Sequence, residues 1–179
     1  MPVVVHDSTS GSREREGSWP MAIVLTYKDM IIELQTVGGP VVFSWSPPAG
    51  QNPPGKTLVF SDNVRWQTVD GHNAAGTAGT QSGTNRIVRD ANADPHGVEA
   101  QEHEATWVLD AVTAGGTHLE RGQITVRGVL FRREVPPLSP EEAEQRFAIT
   151  GGTGPYRHAS GFLIEAGART FDLKDVIVL

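Results

Sequence analysis

The sequence contains no cysteine among its 179 residues. Disulfide bonds, cysteine-ligated zinc, iron–sulfur clusters and thiol nucleophiles are therefore excluded. Basic clusters are absent as well: 15 Lys and Arg stand against 21 Asp and Glu, which gives a formal net charge of -6. An acidic chain without a basic patch does not favour nucleic acid or an anionic membrane surface as a partner.

Long apolar runs are also missing. The longest, Met21 to Leu25, is far too short to span a bilayer. Residues 1–18 are polar and lack the basic start and apolar stretch of a secretory signal. We therefore expect a cytoplasmic protein of one domain, preceded by an N-terminal tail.

The rest of the sequence reads as β-structure with turn-rich connections and almost no helix. Glycines inside the longer strands, such as Gly122 and Gly128, mark places where a sheet bends. About eight short-spaced strands of this kind predict an antiparallel barrel or sandwich, and the glycine bends favour a barrel. Residues 46–55 form a Pro- and Gly-rich loop, residues 91–102 a polar connection, and Ser139 and Pro140 a short helix start. The predicted strands are 31–37, extending into 41–45, then 57–66, 79–88, 104–111, 118–133, 146–150, 161–166 and 170–179.

Motifs of conventional catalysis are absent. The Gly-rich stretch GGTGPYR, residues 151–157, has no lysine and no helix after it, so it does not fit a phosphate loop. We interpret its glycines as a tight corner between strands. No G-x-S-x-G elbow occurs. His103, in HGVEAQEHE, faces away from Glu102 and Glu104 on a strand, so this segment reads as a solvated loop edge and we expect no metal site.

The stretch GGTGPYRHASGF resembles the signature of the allene oxide cyclase and dirigent β-barrels. KTLVFSDNV, GTAGTQSGTNRIV, ATWVLDAVTAGGTHLERGQITVRGVL and ARTFDLKDVIVL resemble further strands of the same family, in the same order. The resemblance implies an all-β, eight-stranded antiparallel barrel over residues 29–179. Residues 1–28 are then an N-terminal extension, which closes over the barrel mouth as a lid in some relatives. Likeness of fold alone does not fix the chemistry.

Bacterial members of this family include cyclases of polyketide pathways, many of which catalyse an intramolecular [4+2] cycloaddition. The resemblance thus implies a Diels–Alder type cyclase without cofactor, acting on a small hydrophobic polyketide-type substrate, and a homodimer. Such a reaction needs no acid–base pair, since a snug cavity supplies proximity and a few hydrogen bonds stabilise the transition state.

Side-chain alternation suggests which residues shape that cavity. The polar anchors, assigned here as catalytic, are Glu33, Gln35 and Gln123, although each would be solvated if its strand face pointed outward. An aromatic and apolar set is expected to bind the substrate, although each aromatic taken alone also fits plain core packing. Its members are Trp19 and Met21 in the lid, and Phe43, Trp45, Phe60, Trp107, Leu109, Phe131, Phe147 and Phe162.

Two other functions remain open at this stage. A dirigent-like or lipocalin-like barrel would bind and orient a hydrophobic molecule without turnover. An epoxide-opening cyclase or isomerase would need a carboxylate or an ordered water inside the barrel. For that role the sequence suggests Glu33, and Asp62 reads either as a strand-end residue bonded to backbone or as a site residue.

Overall fold

The described part of the chain consists of twelve β-strands and two short 3-10 turns. In the computed structural model, residues 26–37, 44–46, 54–132, 144–165 and 169–178 are described, with the backbone alone given at 44–46. None of these residues belongs to a helix long and apolar enough to cross a membrane. The strands are β1 (Thr26–Val37), β2 (Ser44–Ser46), β3 (Thr57–Val69), β4 (His72–Asn73), β5 (Thr77–Arg89), β6 (Glu99–Leu109), β7 (Val112–Ala114), β8 (Thr117–Leu119), β9 (Gly122–Arg132), β10 (Gln145–Thr153), β11 (Ser160–Glu165) and β12 (Arg169–Val178).

Eight of these strands close into an antiparallel barrel, which confirms the predicted fold. Around the ring the order is β1, β3, β5, β6, β9, β10, β11 and β12, and β12 pairs again with β1. β2 and β4 pair with β3, while β7 and β8 form a separate hairpin. Closure leaves no free edge in the ring, and it forces alternate side chains of each strand to point inside.

The barrel interior has two halves of different character. One half is filled with apolar side chains and is closed by the turn at residues 154–156, where Tyr156 is fully buried. Its layers contain Leu109, Ile124 and Val176, all at most 1 % exposed. The other half lies where β6 begins at Glu99, and its inward positions include polar side chains. The closed half therefore supplies most of the core, and the second half, called the open half below, combines apolar and polar inward positions.

Several of the predicted strand limits were wrong, and two of the differences change which segments belong to the barrel. β6 begins at Glu99, so residues 99–102, predicted to be a connection, are part of a barrel strand. They were missed because Glu99 and Gln101 occupy buried inward positions that apolar residues usually fill. The predicted strand 118–133 is two strands, β8 and β9, because β8 pairs with β7 instead of with the barrel.

The predicted domain boundary falls close to the start of the barrel. The first barrel strand begins at Thr26, so residues 26–28, assigned to the N-terminal segment, are part of β1. Residues 1–25, which include the lid candidates Trp19 and Met21, lie outside the described residues, as does the helix start at Ser139 and Pro140.

The GGTG stretch is a corner in the sheet, as predicted. β10 ends at Thr153, and the chain turns through Gly154, which has a left-handed φ of +58°. A Cβ on Gly152 would lie 2.7 Å from the Gln123 carbonyl oxygen and closer still to the carbonyl oxygen of Tyr156. Only glycine allows the backbones to approach this closely. Gly151 differs from its neighbours, because a Cβ there would meet nothing within 4 Å.

We predict that Gly152→Ala destabilises the barrel strongly and that Gly151→Ala does not. The first substitution drives a methyl group into two backbone carbonyls, which should lower the free energy of unfolding by about 2–4 kcal/mol. The second places the methyl group in open space and should change it by less than about 0.5 kcal/mol. Urea denaturation of both variants measures the difference. Equal effects would show that close packing is not the reason for the glycine at 152.

Candidate functional site

The open half of the barrel contains a cavity of about 280 Å³. It extends between six of the eight barrel strands, and polar side chains line it together with apolar ones. Ligand sites usually combine apolar walls with a few placed polar groups, so this cavity is the candidate site. Its lining residues are Leu58, Phe60, Asp62, Gln81, Asn85, His103, Trp107, Leu130, Arg132, Glu165 and Arg169.

Two pairs of polar side chains hold the carboxylates of the cavity in place. Gln81 Nε2 donates a hydrogen bond to Asp62 Oδ2 over 2.7 Å between the neighbouring strands β5 and β3. Arg169 Nε donates to Glu165 Oε1 over 2.8 Å between the paired strands β12 and β11. Both carboxylates are therefore oriented by a partner. Each retains further lone pairs that a ligand could use.

His103 lies in the wall of the cavity and is only 5 % exposed. Its ring stacks on Phe60, with centroids 5.7 Å apart, and contacts Phe147 at 4.5 Å. Its Nδ1 lies 2.6 Å from Asn85 Oδ1, which belongs to the paired residue on β5. Burial lowers the pKa of His103, the nearby Glu165 raises it, and Arg169 lowers it. Because burial dominates, the imidazole is neutral near pH 7.

Three buried polar atoms that have no hydrogen-bond partner among the described residues belong to residues that line the cavity. They are Trp107 Nε1, His103 Nε2 and Gln81 Oε1. Trp66 Nε1 and Tyr156 Oη are also unpaired in the described chain, but these two residues do not line the cavity. An unpaired buried polar group costs about 1–3 kcal/mol. A bound ligand could offset that cost only for the three atoms in the cavity wall.

The predicted substrate-binding residues lie in four different places. Phe60 and Trp107 line the cavity, and Phe147 lies behind it against His103. Leu109 is fully buried in the apolar half. Phe43 falls outside the described residues, as do the lid candidates, and Trp45 is described by its backbone in β2 alone.

Phe131 and Phe162 lie on the outer surface of the barrel, where they are 44 % and 49 % exposed. The prediction that these two side chains face the cavity is therefore wrong. On β9 the inward residues are Ile124, Val126 and Leu130, which occupy the opposite face from Phe131. The sequence offers apolar residues on both faces of this strand, so alternation alone could not select the inner one.

The three predicted polar anchors also point away from the cavity. Glu33 and Gln35 alternate with the buried Ile32 and Leu34 on β1, and Gln123 is exposed on β9. Glu33 Oε2 accepts a hydrogen bond from Thr68 Oγ1 over 2.7 Å. Gln35 Oε1 accepts from Arg65 and from Gln67 on the outer surface. The prediction that these three side chains lie inside the barrel is therefore wrong. Each strand turns its more apolar face toward the core, and the polar side chains lie on the opposite face.

The polar residues that do line the cavity carry a signal in the sequence. His103 is two residues before Ala105 and four before Trp107, so it shares the face predicted to be inward. In the same way Asp62 follows Phe60 by two residues on β3, and Arg169 precedes Phe171 by two on β12. These residues could have been found by assigning to the inward face every second residue of each strand, including the polar ones. His103 is therefore an interior residue and not part of a solvated loop edge.

Comparison with known proteins yields fold likeness only. No family model matches the chain, and no curated protein does. A solved structure of "Pyocyanin demethylase" is similar at 20% identity and a TM-score of 0.48, covering 82% of this chain and 99% of that one. The pterocarpan synthase dirigent proteins PsPTS1 and GePTS1 are similar at 16% and 15% identity. Both have a TM-score of 0.40, and the matches cover 88% and 87% of this chain and 96% and 84% of theirs. At these values the likeness does not bear on substrate or activity.

We predict that His103 makes the stability of the fold depend on pH. Burial lowers its pKa below the ordinary value of 6.5, so just below pH 6.5 the unfolded chain binds more protons than the folded chain. The free energy of unfolding should therefore rise with pH up to about 6.5, and this contribution should then level off. Urea denaturation at a series of pH values measures the slope. His103→Gln should flatten it, whereas His96→Gln, at an exposed position, should not. Parallel slopes in the wild type and His103→Gln would contradict the prediction.

Proposed function

We propose that the chain is a cofactor-independent cyclase that catalyses an intramolecular [4+2] cycloaddition of a linear, polyketide-derived polyene in the barrel cavity. The observation that carries the proposal is the unpaired Nε1–H of Trp107 in the cavity wall. An indole N–H can only donate a hydrogen bond. The ligand that satisfies it must offer an acceptor, and a carbonyl oxygen conjugated to the reacting double bond is such a group.

The walls of the cavity suit a substrate that is apolar except for such groups. Leu58, Phe60 and Leu130 provide apolar surface beside Trp107. Their contacts favour a folded chain in which diene and dienophile meet, and holding reacting groups in this way can lower a barrier by several kcal/mol. A hydrogen bond from Trp107 would draw electron density from the dienophile and strengthen in the transition state. Three π bonds of the diene and dienophile are replaced by two carbon–carbon σ bonds and one new π bond within the same molecule, so no proton or electron leaves the cavity.

The proposal is tested by comparing metabolites of the source organism with and without the gene. We expect the deletion strain to accumulate a compound of the same mass as the final product with one ring fewer, and the purified protein to convert it without additives. An unchanged profile, or a change only in the amount or export of a finished product, would overturn the proposal. The barrel would then be a carrier that binds a hydrophobic ligand without turnover.

Trp107→Phe tests the donor directly with the substrate obtained in this way. The variant keeps an aromatic ring but loses the N–H, and removal of one such donor typically costs about 10²–10³ in kcat. Trp66→Phe is the matched control, because its Nε1 is equally unpaired but lies away from the cavity. We expect kcat to fall in the first variant and to stay near the wild-type value in the second. Equal kcat values in both would remove Trp107 from the mechanism.

A second candidate function is ring closure by proton transfer, such as the opening of an epoxide by a hydroxyl group. The observation that favours it is the pair of carboxylates, Asp62 and Glu165, in the cavity wall. One of them would take the proton of the attacking hydroxyl while the epoxide C–O bond breaks, and would return it to the new alkoxide. Glu33, suggested for this role from the sequence, lies on the outer face of β1.

Substitution of the two carboxylates separates the two candidates. Asp62→Asn and Glu165→Gln keep size and can still accept the hydrogen bonds from Gln81 and Arg169. Cycloaddition predicts kcat within a few-fold of the wild type for both variants. Proton transfer predicts a loss of about 10²–10⁴ in kcat for the one that acts as base. Glu33→Gln, outside the cavity, is the control and should leave kcat unchanged.

A further inference from the structure

His103 is held rigidly in the cavity wall, with only the edge of its ring left to interact. Phe60 stacks nearly parallel to it, at an interplanar angle of 14°, and Phe147 packs against it at 45°. Contacts with two aromatic rings restrict the orientation of the imidazole plane. The two ring nitrogens then point in fixed directions, and each direction has a different environment.

Asn85 determines which of the two nitrogens carries the proton. Its Oδ1 lies 2.6 Å from His103 Nδ1, across the paired strands β5 and β6. A carbonyl oxygen can only accept a hydrogen bond, so Nδ1 must donate. A neutral imidazole has one N–H, which leaves Nε2 with a free lone pair. Nε2 has no partner among the described residues.

We infer that Asn85 is a positioning residue that fixes His103 in its Nδ1–H tautomer, so that Nε2 accepts a hydrogen bond from an O–H or N–H group of the bound substrate. The inference rests on the proposed function in one respect, that the cavity is the substrate site. It narrows the substrate class to molecules that carry a donor for His103 as well as a carbonyl acceptor for Trp107.

Charged groups from several strands lie on the inward face near His103. Asp62 and Glu165 are negative, and Arg132 and Arg169 are positive; all four line the same cavity. Glu99 lies further along the inward face of β6 itself. Burial has the largest effect on the pKa of the ring and lowers it, while Glu165 raises it and Arg169 lowers it, so the neutral form on which the tautomer argument depends is favoured.

The tautomer can be read by long-range ¹H–¹⁵N NMR of the full chain, with His103→Gln identifying the signals of this ring among six histidines. At neutral pH we expect the shift of a protonated nitrogen at Nδ1 and of an unprotonated one at Nε2. A proton on Nε2, or a charged ring, would overturn the inference. If His103→Gln does not fold, selective ¹⁵N-histidine labelling of five variants, in which each of the other histidines is replaced by Gln in turn, assigns the ring by elimination; these residues are His6, His72, His96, His118 and His158.

Two substitutions of Asn85 test its role. Asn85→Leu removes the acceptor and should release the tautomer, so that protonated Nε2 becomes populated. Asn85→Asp keeps an acceptor and should retain the Nδ1–H tautomer, while its negative charge raises the pKa of His103. A purely structural asparagine would give the same tautomer in all three proteins, and that result would overturn the positioning role.

The acceptor role of Nε2 is tested with phenol and its methyl ether, anisole. The two probes are similar in shape, but only phenol has an O–H to donate. We expect phenol to shift the Nε2 resonance several-fold more than anisole does, and Asn85→Leu to abolish most of that difference. Equal shifts by the two probes, or no shift by either, would overturn the acceptor role.

These measurements need no turnover, so a failure of the tautomer inference can be distinguished from a failure of the proposed cyclase activity. A locked tautomer in a protein that converts no substrate would leave a ligand-binding barrel with the same recognition group. A free tautomer in an active cyclase would overturn the inference and leave the cycloaddition standing.

Discussion

Closure of the eight-stranded ring is the constraint on which the other features depend. Once β12 pairs with β1, each strand has an inside and an outside, and every second side chain must be accommodated in a limited interior. Side chains fill the half closed by Tyr156 completely. The other half retains a cavity of about 280 Å³. The same strands run through both halves of the barrel. The candidate site therefore arises because side chains occupy the interior of one half and leave space in the other.

Polar side chains inside a barrel are costly unless they have partners. Here the cost is reduced in pairs: Gln81 with Asp62, Arg169 with Glu165, and Asn85 with His103. Each pair joins two strands, so the interactions that stabilise the interior also fix the direction of its polar groups. Two of the unpaired atoms, Gln81 Oε1 and His103 Nε2, belong to side chains of these pairs and are thereby held in defined orientations, as a preorganised site requires.

The sequence predicted the parts of the structure that follow from local rules. Turn-rich β-segments and internal glycines indicated the barrel, and the GGTG stretch indicated a corner, where Gly152 has no room for a side chain. The choice of strand face is different, because it depends on which surface the closed ring turns inward. β1 and β9 present apolar residues on both faces, so Glu33 and Phe131 were assigned inside when they lie outside. His103 was missed because its polar neighbours concealed the start of β6.

The charges of the cavity bear on the kind of substrate it selects. Its described lining contains two carboxylates, Asp62 and Glu165, and two guanidinium groups, Arg132 and Arg169, beside a neutral His103. Because these four charges cancel, the described lining by itself gives little net attraction for an ion. Shape and the directions of hydrogen bonds are the means of discrimination that this part of the lining offers. A site of that kind binds an uncharged chain with a few polar groups in defined places, which is what a reaction controlled by the folding of its substrate requires.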